Sequence, residues 1–169
     1  MKIEMESERI IFVKPKVEYA SIYAENINNP EIYRWLRSDP RIFTVHEEEE
    51  WIKSIQNDYV YTMIDKESNN IIGNCGFNKI ENNIGEIGIW ISVPYQNNHY
   101  GYEAIMRMIA FGFEDINMTE IVLTVFANNE KAIRCYQKVG FKEYKRIDGI
   151  TDGIGIPTEN IYMKMVKRW

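Results

Sequence analysis

Residues 93–104, Val-Pro-Tyr-Gln-Asn-Asn-His-Tyr-Gly-Tyr-Glu-Ala, constrain this chain more than any other stretch, because an apolar strand runs into them and a helix leaves. Upstream, Ile87-Gly88-Ile89-Trp90-Ile91-Ser92-Val93 is a β-rich run that Pro94 stops, since proline has no N–H to give a sheet ladder. Downstream, Ala104, Ile105, Met108, Ile109 and Gly112 recur at helical spacing and define one apolar face. A helix that begins directly after a strand exposes unpaired backbone N–H groups at the positive end of its dipole, which suits phosphate. The spacing therefore predicts a site for a small phosphorylated molecule at this junction.

Composition narrows the partners. The 169 residues, 45% of them hydrophobic, are predicted to form one domain, 1–169, with a sizeable core. A formal charge of −5 argues against a general nucleic-acid surface, which needs clustered Lys and Arg. It suits soluble or cationic partners better. No stretch approaches the roughly 20 apolar residues of a membrane helix. Met1-Lys2-Ile3-Glu4 lacks the apolar run of a signal peptide, so a cytoplasmic protein with no membrane partner is expected. Cys75 and Cys135 have only His46 and His99 as other soft ligands, which predicts neither a disulfide framework nor a metal site.

Along the chain, Arg9 to Val13 reads as a first strand and Val17 to Ile27 as an amphipathic helix broken by Asn28-Asn29-Pro30. A short helix over Glu31 to Arg37 follows. Thr44-Val45-His46-Glu47 is a capping box before a helix reaching about Asn57. The carboxylates Glu47 to Glu50 there complement the helix dipole; attraction of a cationic acceptor is a second reading. Tyr59–Ile64, Ile71–Phe77 and a run that begins after Glu81-Asn82-Asn83 and leads to Pro94 form an antiparallel meander, with a hairpin loop over Asp65 to Asn70. Then come helix Tyr100–Glu114, strand Glu120–Phe126, helix Asn129–Val139, strand Phe141–Ile147 and a last strand near Ile161–Val166. The fold class is α/β with a mixed sheet, antiparallel early and crossing over through helices later. The glycines of Asp148 to Gly155 predict a flexible or tightly turning loop before the last strand.

Two motifs carry a resemblance. Gln96-x-x-His99-x-Gly101 resembles the Gln/Arg-x-x-Gly-x-Gly/Ala loop of the GNAT superfamily of N-acetyltransferases. Asn129-Glu130-Lys131-Ala132-Ile133-Arg134-Cys135-Tyr136-Gln137-Lys138-Val139-Gly140-Phe141 resembles that family's Asn-x-x-Ala-x-x-x-Tyr-x-Lys-x-Gly-Phe segment. Gly85-Glu86-Ile87-Gly88 and Tyr102-Glu103-Ala104 are similar to the branch holding ribosomal-protein N-terminal and spermidine acetyltransferases. The resemblance implies a mostly antiparallel mixed sheet flanked by helices in the order β-α-α-β-β-β-α-β-α-β-β. It also implies acetyl-CoA as co-substrate without a metal, and direct acetyl transfer to an amine in a ternary complex.

By the same resemblance, Gln96 and the backbone N–H groups of Asn97, Asn98, His99, Tyr100, Gly101 and Tyr102 hold the pyrophosphate. The backbone of Ile91, Ser92 and Val93 holds the acetyl carbonyl and pantetheine arm, and an N–H there stabilises the oxyanion. Asn129 fixes the cofactor arm, Tyr136 protonates the leaving thiolate, and Glu86 takes the amine proton. His99 stands where the family has glycine; Asn and His tolerate positive φ, so the turn is expected to survive.

Each residue also has a plainer reading. Tyr136 shares a helical face with Ala132 and Ile133 as a core tyrosine could, Asn129 suits an N-cap, Gly140 a C-cap, and Glu86 an ordinary strand glutamate. His99 suits an exposed loop histidine, and Glu103 in the first helical turn is accounted for by the dipole. Trp90, Tyr95, Tyr100 and Tyr102 suit a ligand cleft, a homodimer surface or the core. The acceptor is expected at the first helices, the Glu86 strand and the Gly-rich loop: a protein N-terminus, a polyamine, an aminoglycoside or another small amine. A non-catalytic acyl-CoA-binding module fits the same residues.

Overall fold

Capping chemistry sets where the early helices begin. The computed structural model describes residues 1–39 and 41–168. Helix α1 (Ala20–Ile27) follows a 3₁₀ turn at Val17–Tyr19. The Asn28-Asn29-Pro30 break also starts the next helix, α2 (Pro30–Leu36): Asn29 accepts from Glu31 N–H and Pro30 supplies a preset φ, one residue earlier than expected. Helix α3 (Val45–Ser54) opens on the anticipated capping box, Thr44 and Glu47 each accepting the other's N–H at 3.1 Å, and stops three residues short of Asn57. Glu47 and Glu50 are also held by Arg41 and Lys53, at 3.0 and 3.1 Å.

The strands are β1 (Met5–Glu6), β2 (Ile10–Val13), β3 (Val60–Asp65), β4 (Ile71–Glu81), β5 (Ile84–Ile91), β6 (Glu120–Phe126), β7 (Lys142–Thr151) and β8 (Pro157–Val166). They form one mixed sheet in the order β1-β2-β3-β4-β5-β6-β8-β7. The two-residue β1 and a third helix ahead of β3 extend the order that the resemblance implied. Asn82 and Asn83 both take positive φ, 53° and 63°, which closes the β4–β5 hairpin and keeps β4 paired to Glu81 rather than ending at Phe77. All pairings are antiparallel except β5–β6. Those two strands run parallel only for Ile84–Glu86 against Glu120–Val122 and then part.

Helix α4 (Tyr100–Ala110) covers one face of the sheet with Ala104, Ile105, Met108 and Ile109, packed on a core of Phe12, Met63, Ile72, Phe77, Ile121 and Met163. It continues as one π-helical turn, Phe111–Asp115, where the sequence predicts regular helix to Glu114. Helix α5 (Glu130–Val139) lies beside it, with Asn129 as N-cap and Gly140, at φ 125°, as C-cap. On the other face Ala20, Tyr23 and Ile52 form a second cluster with Trp51 and Trp90. Tyr23 is fully buried and its hydroxyl shares a hydrogen bond with Thr62.

The Gly-rich segment before the last strand is neither long nor loose. Strand β7 runs on to Thr151, and the turn that follows closes on Asp152, which has no exposed surface. Its carboxylate accepts from the N–H groups of Ile154 and Ile156, both at 3.0 Å, from Asn128 Nδ2 at 3.0 Å and from Arg34 Nη2 at 2.8 Å. Gly153 N–H donates to the Arg34 carbonyl at 2.8 Å, and a Cβ at Gly153 would sit 2.6 Å from Arg34 Cα. Only glycine allows that approach, so the turn is fastened to α2.

Burial opposes the Asp152 charge, but the bonds from Arg34, Ile156, Asn128 and Ile154 outweigh it and bring the carboxyl down to about 2. An unfolded aspartate titrates at about 3.9, so the group stabilises the fold above that pH and ceases to as pH falls towards 2. Thermal denaturation from pH 7 to 2 is expected to show a stability loss of about 2 kcal/mol from this group below pH 4. Asp152→Ala, which leaves Arg34 without its carboxylate, is expected to lose about 3 kcal/mol at pH 7 in urea titration.

Candidate active site

Where β5 and β6 part, the sheet opens into a wedge. Ser92 N–H donates to Ile72 O at 2.8 Å, and the Trp90 carbonyl points at Gly73 on β4. Antiparallel ladders alternate, so the backbone groups of the intervening residues, Ile89 and Ile91, turn towards the wedge. The Ile91 carbonyl does so visibly, accepting from Gln96 Nε2 at 2.8 Å. The expectation of an N–H donor from Ile91, Ser92 or Val93 therefore narrows: the Ser92 amide is committed to β4, and Ser92 and Val93 line neither wedge cavity.

The turn after β5 takes left-handed backbone at Asn97 (φ 64°) and His99 (φ 65°), and His99 is the N-cap of α4. The first helical bond is Glu103 N–H to His99 O at 3.1 Å, which leaves the amides of Tyr100, Gly101 and Tyr102 ahead of the ladder. A Cβ built on Gly101 meets no atom within 4 Å, so the space over the helix start is open.

Residues distant in sequence brace this loop. Arg9 donates to Asn98 O at 3.0 Å and to Glu103 at 2.8 Å, and its guanidinium lies 3.9 Å from the Tyr100 ring centroid. Lys131 on α5 donates to Asn97 Oδ1 at 2.8 Å. The Tyr100 hydroxyl donates to Asp65 at 2.7 Å, and the Tyr95 hydroxyl bonds Asn70 and Ser68 at 2.8 and 2.9 Å. Tyr102 lies under Lys138, whose Nζ is 4.6 Å from its ring centroid. Burial raises the Glu103 carboxyl, but bonds from Ser7 and from the Arg9 side chain and backbone outweigh it and hold it below its ordinary value. Glu103 thus does more than face the helix dipole: it ties the loop to the segment before β2.

Two cavities meet in the wedge. One, of about 260 Å³, is bounded by Ile89, Ile91, Gln96, Asn97, His99 and Gly101, and by Asn129, Ala132 and Tyr136 on α5. The other, of about 300 Å³, is bounded by Glu86, Asn78 and Gly88 on one side and by Trp35, Leu36, Trp51 and Thr124 on the other. Tyr136, Asn129, Trp90, Ile89, Trp35 and Leu36 belong to both. The Tyr136 ring packs edge-on against Phe141, with centroids 6.0 Å apart, and its hydroxyl hydrogen-bonds no group among the described residues. Burial, reinforced by Cys135 and Cys75, pushes its phenol well above the ordinary value, so it stays protonated at neutral pH. Asn98 and Tyr102 border an open groove on the outer side of the loop instead.

Sequence reading missed the loop's supports, Arg9, Asp65 and Lys131, and the wall residues Trp35, Trp51 and Asn74. Arg9 and Asn98 are 89 positions apart, and no local pattern links them. Among the described residues there is no group of three or more His, Cys, Asp or Glu fit to hold a metal, and no helix long and apolar enough to cross a membrane.

A parting parallel strand pair, an anion-ready helix start and a half-buried phenol between two cavities fit a cofactor-dependent transferase site. The family profile described as "Acetyltransferase (GNAT) domain" matches residues 9–142, and the chain belongs to the GNAT acetyltransferases. It is 27% identical over 146 residues to the N-acetyltransferase p20 of Bacillus licheniformis, covering 81% of each chain. Its fold is that of the spermidine N-acetyltransferase of Vibrio cholerae, solved with CoA and spermine, with TM-score 0.84, 19% identity and 94% and 95% of the two chains covered. The ribosomal-protein-S5-alanine acetyltransferase of Vibrio fischeri gives TM-score 0.83 and 17% identity over 98% and 97%.

The left-handed turn can be tested directly. His99→Val, a β-branched residue at positive φ, is expected to lower stability by roughly 1–2 kcal/mol in urea denaturation, whereas His99→Gly is expected to lose none.

Proposed function

We propose that residues 1–169 act as one acetyl-CoA-dependent N-acetyltransferase domain, transferring acetyl directly to a primary amine in a ternary complex. The observation that carries the reading is the meeting of the two cavities at Tyr136, one reaching the helix start and the other reaching Glu86. The open space over Gly101 and the free amides of Tyr100, Gly101 and Tyr102 fit a pyrophosphate, with Asn97 and His99 shaping the turn. Gln96, Lys131 and Arg9 hold that turn in place. Ile89 and Ile91 offer strand-edge groups to the amide-bearing arm of the co-substrate, and the Ile91 N–H serves the thioester oxygen as charge develops there. Asn129 caps α5 and borders the arm.

Acetyl-CoA supplies an acyl group already activated as a thioester. Glu86 accepts the proton of the attacking amine, directly or through water, and Tyr136 donates its proton to the departing sulfur. The burial that raises the phenol also disfavours a thiolate beside it, so the proton moves between two groups shifted in the same direction. Holding amine and thioester together accounts for most of the acceleration. A protein N-terminus, a polyamine and other small amines remain the acceptor classes, and the cytoplasm the expected compartment.

Thiol release from acetyl-CoA with a panel of amines tests the reading. Tyr136→Phe is expected to lower kcat about 100-fold with little change in KM for acetyl-CoA, and Glu86→Gln to lower kcat/KM for the amine with little change in KM for acetyl-CoA. Free CoA is expected to raise Tm far more than ATP or NAD at equal concentration; equal protection by all three overturns the assignment.

A further inference from the structure

Next to the Glu86 cavity lies a chamber of about 480 Å³, and the two share Trp51, Asn74 and Trp90 as walls. Four charged side chains border this chamber: Arg37, Arg41, Glu47 and Glu48. Arg41 and Glu47 neutralise each other at 3.0 Å. The remaining two, Glu48 and Arg37, feel each other's charge but form no ion pair within 4.0 Å. Glu48 is only 6% exposed, yet among the described residues its carboxylate makes neither a hydrogen bond nor an ion pair. Arg37 gives Nη2 to the Arg41 carbonyl at 3.0 Å, leaves its buried Nε without a partner, and meets no carboxylate within 4.0 Å among the described residues. Both arginines are held in place, each guanidinium 4.2 Å from the Phe43 ring centroid.

Burial penalises a charge that lacks a partner, and it does so here in both directions. It pushes the Glu48 carboxyl up, against the pull of Arg37 and with the push of Glu47; it pulls Arg37 down, with help from Arg41 and against the opposing charges of Glu48 and Asp39. A carboxylate and a guanidinium that border one chamber without closing on each other suit an occupant with one charge of each sign between them. A polycation answers only Glu48. An α-amino acid head group, ammonium and carboxylate on neighbouring atoms, answers both.

We propose that the acceptor is a diamino acid, its α-ammonium received by Glu48, its α-carboxylate by Arg37, and its ω-amine passed between Trp51, Asn74 and Trp90 to the transfer cavity. This rests on the reading of the Glu86 cavity as the acceptor side. In the step, the ω-nitrogen gains a bond to the acetyl carbon as the carbon–sulfur bond breaks; the amine loses one proton and the CoA thiol gains one.

The test measures kcat/KM at saturating acetyl-CoA, by thiol release, for lysine, ornithine, 1,5-diaminopentane and 6-aminohexanoate. The expected result is that lysine or ornithine exceeds both analogues, each of which keeps only one of the two head-group charges, by about tenfold or more, the loss expected when one charged hydrogen-bond partner goes missing. Glu48→Gln is expected to lower the value for the diamino acid about tenfold more than for 6-aminohexanoate, and Arg37→Met about tenfold more than for 1,5-diaminopentane. The wild-type ranking stands even if a variant fails to fold. Diaminopentane equal to or better than both diamino acids overturns the proposal while leaving amine acetylation intact. No thiol release with any of the four, in protein that CoA still protects from thermal unfolding, overturns it together with the small-amine reading.

Discussion

The separation of β5 from β6 after three residue pairs is the constraint on which the rest depends. Backbone N–H and C=O groups are obligatory hydrogen-bonders, and a sheet that opens leaves those of Ile89 and Ile91 facing a gap. Sheet continuity is kept elsewhere: β5 remains fully paired to β4, and β6 pairs along its length with β8. The opening is therefore a local feature of one seam, stiffened from both sides. A ligand arm that carries amides of its own can take the place of the missing strand partners.

The second requirement is a loop that holds its shape without a ligand. Its left-handed residues are Asn97 and His99, types that bear that backbone at modest cost. The larger contribution comes from outside: Arg9 from the segment before β2, Asp65 from the end of β3 and Lys131 from α5 all reach it. The loop's amides are thus aimed by groups drawn from three other parts of the chain. Pre-aimed donors do not have to be ordered when the anion arrives.

Element order, the capping box at Thr44, the limits of β6 and the span of α5 were legible from local chemistry, because caps, breakers and periodicity act within a few residues. The positive φ at position 99 was legible too, from the glycine that the resembling family has there and from a residue type that tolerates it. The fastening of the Asp148–Gly155 segment was not: its glycines read as freedom, whereas Gly153 is small so that its backbone can touch Arg34. Nor was the double duty of Gln96, whose side chain closes back on Ile91. The pairing of Arg9 with Glu103 and the charges around Glu48 depend on contacts across the fold, which no window of sequence contains. Strand alternation did put Glu86 on one face with Gly88 and Trp90, and all three border the cavity that Tyr136 also lines.

Strand β7 lies at one margin of the sheet with almost every residue exposed, and it pairs with β8 through two register shifts, at Glu143/Lys145 and Ile147/Ile150. At the opposite margin β1 is two residues long. A growing β-fibril needs a straight, uncharged rim of some length on which to lay the next strand, and this sheet offers one rim that is too short and another that is bent and carries Lys142, Glu143, Lys145, Arg146 and Asp148. The crowded protein solution of a cell can thus hold this eight-stranded sheet without either margin seeding strand-on-strand growth.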